Sequence, residues 1–521
     1  MTESGERRES RSADAGRKVQ EHVRGSGLLF AGRLIALLLN FAVQVLTVRY
    51  LTKSDYGAFA YALSIATVAA SFNLLGLGKA ATRSTPIHDE RGEPASVMGT
   101  VALAVGSVVA LGIAIVAVVL GVHGLVGGSL ASDPLAGQLL VVLIALTPLQ
   151  ALDSLLQGLA AVFVGARAIF FRRYLLAPTL KLAAILLVTA TGGSVYGLAA
   201  GYLGAGLVGV AVYALLLHRA FRERGLWRHL AAGARELPAK RMFAYGLPLL
   251  TADVVLVLKT NLGVLVLEAT RGTADVASFR AVVPLAGLIA IVLQSFKILF
   301  VPLASRLFAR GDGAGVGRLY WHSALWVTVL SFPVFCACQL FARPLAVLLF
   351  GERYAGSGTI LAVLAVGYYF NAALGLNTYV LQVYGRVRYV ALVNVAVIAS
   401  SALLNVWLIG RFGALGAALA TTGILVLHNV LNQVGLRSFT GVGGPPPECR
   451  RAYLQVTAAT AVLAALHWLL GVPPIAVALL VALTGAVLFA VNRRALDLEG
   501  TFPELRRIPG VGPLLAGGRP G

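Results

Sequence analysis

Leu28–Val48 reads LLFAGRLIALLLNFAVQVLTV. These 21 residues hold no proline, and their strongly polar side chains are confined to Arg33, Asn40 and Gln44. A helix needs about 20 apolar residues to span the hydrocarbon of a bilayer. Thirteen comparable stretches follow, over 56–76, 96–120, 138–163, 174–192, 195–218, 242–267, 276–303, 320–342, 357–383, 388–410, 412–435, 452–470 and 474–491. Of the 521 residues 58% are hydrophobic and 12% charged, more apolar surface than a soluble core could bury. Backbone polar groups in hydrocarbon must be satisfied within their own segment, so each stretch is expected to be a helix. The expected fold class is an all-α polytopic membrane protein with about fourteen transmembrane helices.

The gaps between the stretches set the orientation. If the N-terminus is cytoplasmic, 32 of the 43 Lys and Arg fall on the inner side, and only Arg49, Lys53, Arg271, Arg343, Arg353 and Arg411 on the outer. By the positive-inside rule both termini are expected in the cytoplasm, with the protein multi-pass in the inner (plasma) membrane. A net charge of +21 would suggest a nucleic-acid partner in a soluble protein. Here the basic loops face anionic inner-leaflet lipids instead, and no nucleic acid is expected. Residues 1–27 are polar and lead straight into the first stretch without a small-residue cleavage site, as an uncleaved anchor with a disordered basic tail would.

Cys336 and Cys338 sit inside an apolar stretch and Cys449 in an inner loop, which gives neither a disulfide framework nor a metal site. Gly76–Lys79 (GLGK) and Gly311–Gly315 (GDGAG) resemble phosphate-cradling loops but follow no strand. They read as turns at helix ends, and no cofactor is expected. A weak internal repeat has a period near 220 residues: Asp55–Phe59 (DYGAF) matches Asp275–Phe279 (DVASF), and Tyr196–Ala199 (YGLA) matches Phe412–Leu415 (FGAL). Six stretches separate the copies. An even number gives two lobes of the same sense, related by a pseudo-two-fold axis along the membrane normal. The expected organisation is a tail over 1–27, an N-lobe over 28–218, a basic linker over 219–241, a C-lobe over 242–436, two further helices within 452–491, and a cytoplasmic tail over 492–521.

Polar residues inside the stretches are expensive in lipid and mark partners or water. Arg33, Asn40, Gln44 and Thr47 share one face of the first helix; Gln150, Asp153, Ser154 and Gln157 share one of the fourth. Arg280, Gly287 and Gln294 line up on the eighth, Asn371, Thr378 and Gln382 on the tenth, and Asn394, Ser401 and Asn405 on the eleventh. Stripes in both halves are expected to face a hydrated cavity; the competing reading is hydrogen bonds that seal a bundle. Arg33, Lys259, Arg280 and Lys297 are the candidate substrate-binding cations. Lys297 and Lys181 lie nearer helix ends, where snorkelling also accounts for them. Asp153 and Asp253 are candidate partners for the cations or candidate ion-coupling groups. His428 reads as a packed histidine, and the series Gly201, Ala205, Gly209 as close helix packing.

Three segments carry a family resemblance: Leu46–Arg83 (LTVRYLTKSDYGAFAYALSIATVAASFNLLGLGKAATR), Tyr245–Pro248 (YGLP), and Leu349–Ala420 with its GERY, GYYFNAALG and RFGALGAALA runs. Over residues 26–436 the chain resembles the prokaryotic oligosaccharide flippases of the multidrug/oligosaccharidyl-lipid/polysaccharide (MOP) superfamily. It departs at Asn261, near where many members are acidic, and at Ala277 and Phe279, where Gly and Tyr are usual. The resemblance implies two six-helix lobes around a V-shaped cleft, two extra C-terminal helices, and export of a polyprenyl-linked glycan. It also implies, as partners, the lipid-linked oligosaccharide, membrane lipids, and the glycosyltransferases or polymerase of the same pathway.

The residues fit that implication. An anionic pyrophosphate in a water-poor site is stabilised by charge-assisted bonds to cations such as Arg33, Lys259 and Arg280. The alternatives are a drug exporter or a peptidoglycan-precursor flippase of the same superfamily, and a membrane glycan polymerase or ligase. Such enzymes present a large external loop with Arg or His, whereas the longest outer gap, 121–137, holds no Lys or Arg and only His123. No catalytic constellation is visible. The orientation is checked by labelling single cysteines in a cysteine-free background with a membrane-impermeant maleimide. Ser129→Cys should react on intact cells and Ala232→Cys only after permeabilisation; the reverse pattern inverts the topology.

Overall fold

The computed structural model describes residues 32–125, 131–235, 238–468, 473–493 and 496, which are helical throughout with no strand among them. The expected tails over 1–27 and 492–521 lie outside the described residues, apart from Asn492, Arg493 and Leu496. The helices are α1 (Gly32–Tyr50), α2 (Lys53–Asn73), α3 (Leu77–Glu90), α4 (Pro94–Leu125), α5 (Pro134–Leu143), α6 (Leu146–Phe163), α7 (Arg167–Ala190), α8 (Val195–Glu223), α9 (Ala239–Arg271), α10 (Thr273–Ala309), α11 (Gly313–Leu340), α12 (Ser357–Val383), α13 (Val387–Phe412), α14 (Ala414–Thr440), α15 (Pro447–Trp468) and α16 (Pro474–Val491). Nine described helices are long and apolar enough to cross a membrane, or up to eleven if the bent pairs α2/α3 and α5/α6 each count as one crossing. The sequence reading is wider than this because α9 and α15 carry more charge and polar residues, and α16 is short.

Helix boundaries follow local chemistry. Thr52 caps α2 by accepting from the Asp55 amide at 3.1 Å, and Asp133 caps α5, with Pro134 in the first helical turn. Asp312 accepts from the Gly315 amide at 2.6 Å. The carboxylate thereby occupies the helix N-terminus of the GDGAG run, where a phosphate would otherwise sit. The other glycine run marks a break: Leu75 (φ 48°) and Gly76 (φ 68°) are left-handed, and α3 leaves α2 at 41°. A Cβ on Gly76 would meet the Gly246 carbonyl at 2.1 Å, so the break is fitted against the backbone of α9.

The chain divides into two compact units, residues 1–277 and 278–521. In unit 1, Leu77, Met98, Leu155, Leu159, Tyr213 and Leu217 form one buried cluster. Helix α9, expected to open the second lobe, is grouped with unit 1, where it packs on α2 and α3. In unit 2, Tyr320, Phe332, Phe350 and Tyr354 are fully buried. Outward faces carry exposed leucines, among them Leu38, Leu187, Leu392 and Leu403, a surface suited to lipid.

Gly57 on α2 tests the packing of α2 against the start of α10. A Cβ there would meet the Thr273 carbonyl at 1.8 Å, whereas nothing lies within 4 Å of one on Gly106. Gly57→Ala should lower stability by about 1–3 kcal/mol through overpacking. Thermal unfolding in detergent checks this, with Gly106→Ala expected to melt as the parent does.

Candidate functional site

The first stripe in unit 1 is only partly free. On α1, Asn40 donates to the Ala36 carbonyl (2.6 Å) and Gln44 to the Tyr56 hydroxyl of α2 (2.6 Å), while Arg33 is exposed. On α6, Gln150, Asp153 and Gln157 are all half-buried. Asp153 accepts a hydrogen bond from Arg172, whose Nε donates to the Gly209 carbonyl on α8 at 3.0 Å. The guanidinium lies 5.0 Å from the Tyr213 ring centre. A Cβ on Gly209 would stand 1.9 Å from the guanidinium, so this glycine houses a side chain, while Gly201 makes the expected close contact with Ala184. Lys181, also on α7, lies over the Tyr202 ring at 5.3 Å.

Arg172 falls in the gap between two apolar stretches and reads in sequence as an inner-loop cation. In the structure it is 5% exposed. The cause is local: Phe170–Leu176 is π-helical, and the wider turn rotates Arg172 inward, toward α6 and α8. No sequence signal separates it from its neighbour Arg173, which stays exposed.

Helix α9 brings four further groups to unit 1. Asp253 pairs with Lys79 of α3 at 2.6 Å, and one turn further along α3 Arg83 lies over the Tyr245 ring at 4.6 Å. Lys259 is half-buried, and Asn261 donates to the Val257 carbonyl of its own helix. Glu268, which the sequence reading passed over, is 2% exposed and accepts from Ser132 N (2.7 Å), Ser132 Oγ (2.6 Å) and Asp133 N (3.2 Å). Its spacing of seven from Asn261 puts both on one face of α9. That period was legible, but the 131–133 segment it binds was not.

In unit 2, Arg280 and Gln294 are half-buried, and Lys297 lies 4.6 Å over the Tyr379 ring. The Asn371 amide oxygen accepts from Asn429 (3.0 Å), and Asn377 donates to the Asn429 carbonyl (3.1 Å), a network that ties α12 to α14. Ser401 and Asn405 are buried and bonded to each other. Gln382 is exposed. These stripes therefore serve different ends: Asn371 and Asn377 join α12 to α14, Asn405 bonds within its own helix, and Lys297 packs on an aromatic ring.

The carboxylates sort the charges. Asp153 is spent on Arg172 and Asp253 on Lys79, and among the described residues no carboxylate is paired with Arg33, Lys259 or Arg280. Among those residues no group of three His, Cys, Asp or Glu could hold a metal ion. The arrangement leaves Arg33, Lys259 and Arg280 on apolar helices with no carboxylate paired to them among the described residues.

Residues 22–308 match the family described as polysaccharide biosynthesis protein. No curated protein matches the chain by sequence. Among solved structures the fold resembles a lipid II flippase, MurJ, in an inward closed conformation (14% identity, 91% of this chain and 100% of that one, TM-score 0.67). It also resembles an inward-facing multidrug resistance MATE family transporter of the MOP superfamily (14% identity, 78% and 96%, TM-score 0.63). A third likeness is to a MOP superfamily transporter from Pyrococcus furiosus (18% identity, 80% and 93%, TM-score 0.52).

The Asp153–Arg172 pair should be structural. Removing one partner of a buried pair strands the other charge, at a cost of about 3–5 kcal/mol. Asp153→Asn and Arg172→Ala should each lower the melting temperature in detergent, and the double variant should lose much less than the sum of the two. Additive losses would mean that the pair is not formed.

Proposed function

The chain belongs to the polysaccharide biosynthesis protein family, and on that premise we propose that it translocates a polyprenyl-(di)phosphate-linked oligosaccharide across the cytoplasmic membrane for surface polysaccharide assembly. We read it as a MOP-superfamily flippase, a transporter and not an enzyme, which the likeness to the MurJ flippase and the MATE transporter supports. The observation that supports the substrate is the set of cations within apolar helices, Arg33, Lys259 and Arg280, that no carboxylate among the described residues neutralises. An uncompensated cation in a low-dielectric setting is costly unless an anion visits it. A diphosphate supplies that anion, with hydrogen-bond geometry suited to the arginine fork.

In this reading both termini face the cytoplasm, fourteen helices form two six-helix lobes with a C-terminal pair, and rocking of the lobes exposes the cations to each side in turn. The sugars, strongly hydrated, travel in a polar cavity open sideways to lipid, and the prenyl chain stays in the bilayer. Gln44, Gln150, Gln157 and Gln294 supply neutral hydrogen-bonding groups for the glycan, as uncharged contacts suit sugars. Glycosyltransferases and a polymerase of the same route would supply and consume the substrate.

Arg33→Ala and Arg280→Ala should each reduce surface glycan in a complemented null strain while leaving membrane abundance unchanged. Loss of one charge-assisted bond, about 1.5–3 kcal/mol, corresponds to roughly 10- to 150-fold in affinity. Lysine at either position should keep part of the activity, being cationic but not bidentate. Normal glycan display by both alanine variants, at normal abundance, would remove the arginines from substrate binding.

A further inference from the structure

Unit 2 contains a cavity of about 440 Å³ among α11, α12, α14 and α15, within the range of about 300–1,000 Å³ typical of ligand sites. Its walls are aromatic: Phe335 and Tyr369 stack with ring centres 4.3 Å apart, and Phe370, Trp321 and Tyr453 complete the lining. Val366 (44% exposed), Thr457 and Arg437 lie at its rim, where it opens on the surface of the helices. Trp321 also borders a second cavity of about 860 Å³, walled by the glycine-rich 440–446 connection, and its Nε1 donates to the Gly443 carbonyl at 3.2 Å. An aromatic chamber thus adjoins a second, larger cavity of mixed lining.

One group lining the chamber is buried and unsatisfied, and a charged one stands at its rim. Gln433 accepts from the Tyr320 hydroxyl at 2.8 Å, but its Nε2 is buried without an acceptor. Such a donor costs about 1–3 kcal/mol unless something satisfies it. Arg437, four residues on, is exposed, and among the described residues no carboxylate is paired with it. Four residues along a helix place the amide and the guanidinium on one face and about 6 Å apart in height. Moving inward from the helix end, the chamber therefore presents a cation, then a neutral donor, then an aromatic sleeve.

We propose that this cavity holds one anionic glycerophospholipid of the surrounding membrane. Its phosphate would lie on Arg437, an acyl-ester carbonyl would accept from Gln433 Nε2, and the chain would fill the sleeve of Phe335, Tyr369 and Phe370. The order of phosphate, ester and hydrocarbon along a glycerolipid matches the order of the three wall chemistries. A polyprenyl phosphate has the anion but no ester carbonyl to satisfy the glutamine. Basic pockets between transmembrane helices on the cytoplasmic side are apt sites for anionic headgroups. Only the leaflet, the inner one, rests on the topology proposed above; the lipid class does not depend on the translocated substrate.

The test uses the full chain purified from membranes in mild detergent, with bound lipid read by native mass spectrometry. The parent should retain one phospholipid per chain. After delipidation it should rebind phosphatidylglycerol in preference to phosphatidylcholine or a polyprenyl phosphate. Arg437→Gln and the near-isosteric Gln433→Met should each weaken phosphatidylglycerol binding about tenfold, the effect of one lost polar contact. Arg450→Gln, an exposed cation outside the cavity lining, should not. Arg437 is exposed, so its variant keeps the fold, and circular dichroism with thermal melting confirms this for both. Retention of no lipid, equal binding of the polyprenyl phosphate, or loss through Arg437 alone with Gln433→Met unchanged would overturn the assignment.

Discussion

A peptide group left without a hydrogen-bond partner in hydrocarbon costs several kcal/mol, and that constraint governs where this chain can bend. Over most of its length the answer is an unbroken helix. Where α2 gives way to α3, the left-handed Leu75 and Gly76 free backbone groups from the helical ladder, and the break is pressed against Gly246 of α9. Two glycines facing each other let the backbones meet, since a side chain on either would hold them apart. The same economy recurs where Gly57 meets the Thr273 carbonyl. Of the left-handed glycines, Gly76 is set directly against another backbone.

A second consequence concerns charge. In water a lone arginine needs no partner, but among apolar helices each charge is either matched or awaits a match. Asp153 and Arg172 match one another, with Gly209 making room and supplying its carbonyl. Lys79 and Asp253 form a more exposed pair joining α3 to α9. Among the described residues Arg33, Lys259 and Arg280 are left without a paired carboxylate. The buried Glu268 takes amide and hydroxyl donors from Ser132 and Asp133, so it too is unavailable to the cations.

The helices themselves were legible because hydropathy acts over twenty residues and tolerates local error. Boundaries were less so: the apolar stretches begin at 56, 138 and 320, whereas the caps Thr52, Asp133 and Asp312 start the helices at Lys53, Pro134 and Gly313. The fate of Arg172 was not legible: a π-helical turn shifts the register of every residue around it, and no residue type compels such a turn. Periodicity likewise put Asn371 on a polar stripe but could not say that Asn429, fifty-eight residues away, would use its amide. A stripe fixes which face is polar, while the neighbour across that face decides whether it joins helices or stays free. The identity of that neighbour is a long-range fact, and the grouping of α9 with unit 1 is another.

The C-terminal helices show what such long-range packing adds. They lie beyond residues 22–308, where the family match ends, so nothing in that match describes them. Gly485 of α16 admits Pro333 of α11 closely, and Asn492 binds Gln455 of α15 at 2.9 Å, which ties the pair to each other and to unit 2. Cys449, at the start of α15, lies 3.5 Å from the Trp321 carbonyl. With α15 seated there, a flank of α11 and α12 becomes the wall of an aromatic chamber that opens at Val366, Thr457 and Arg437. Buried aromatic surface without a filler loses the dispersion contacts that close packing would give. A chamber of this size, left in place beside an unsatisfied amide, is better explained by an occupant from the membrane than by a packing fault.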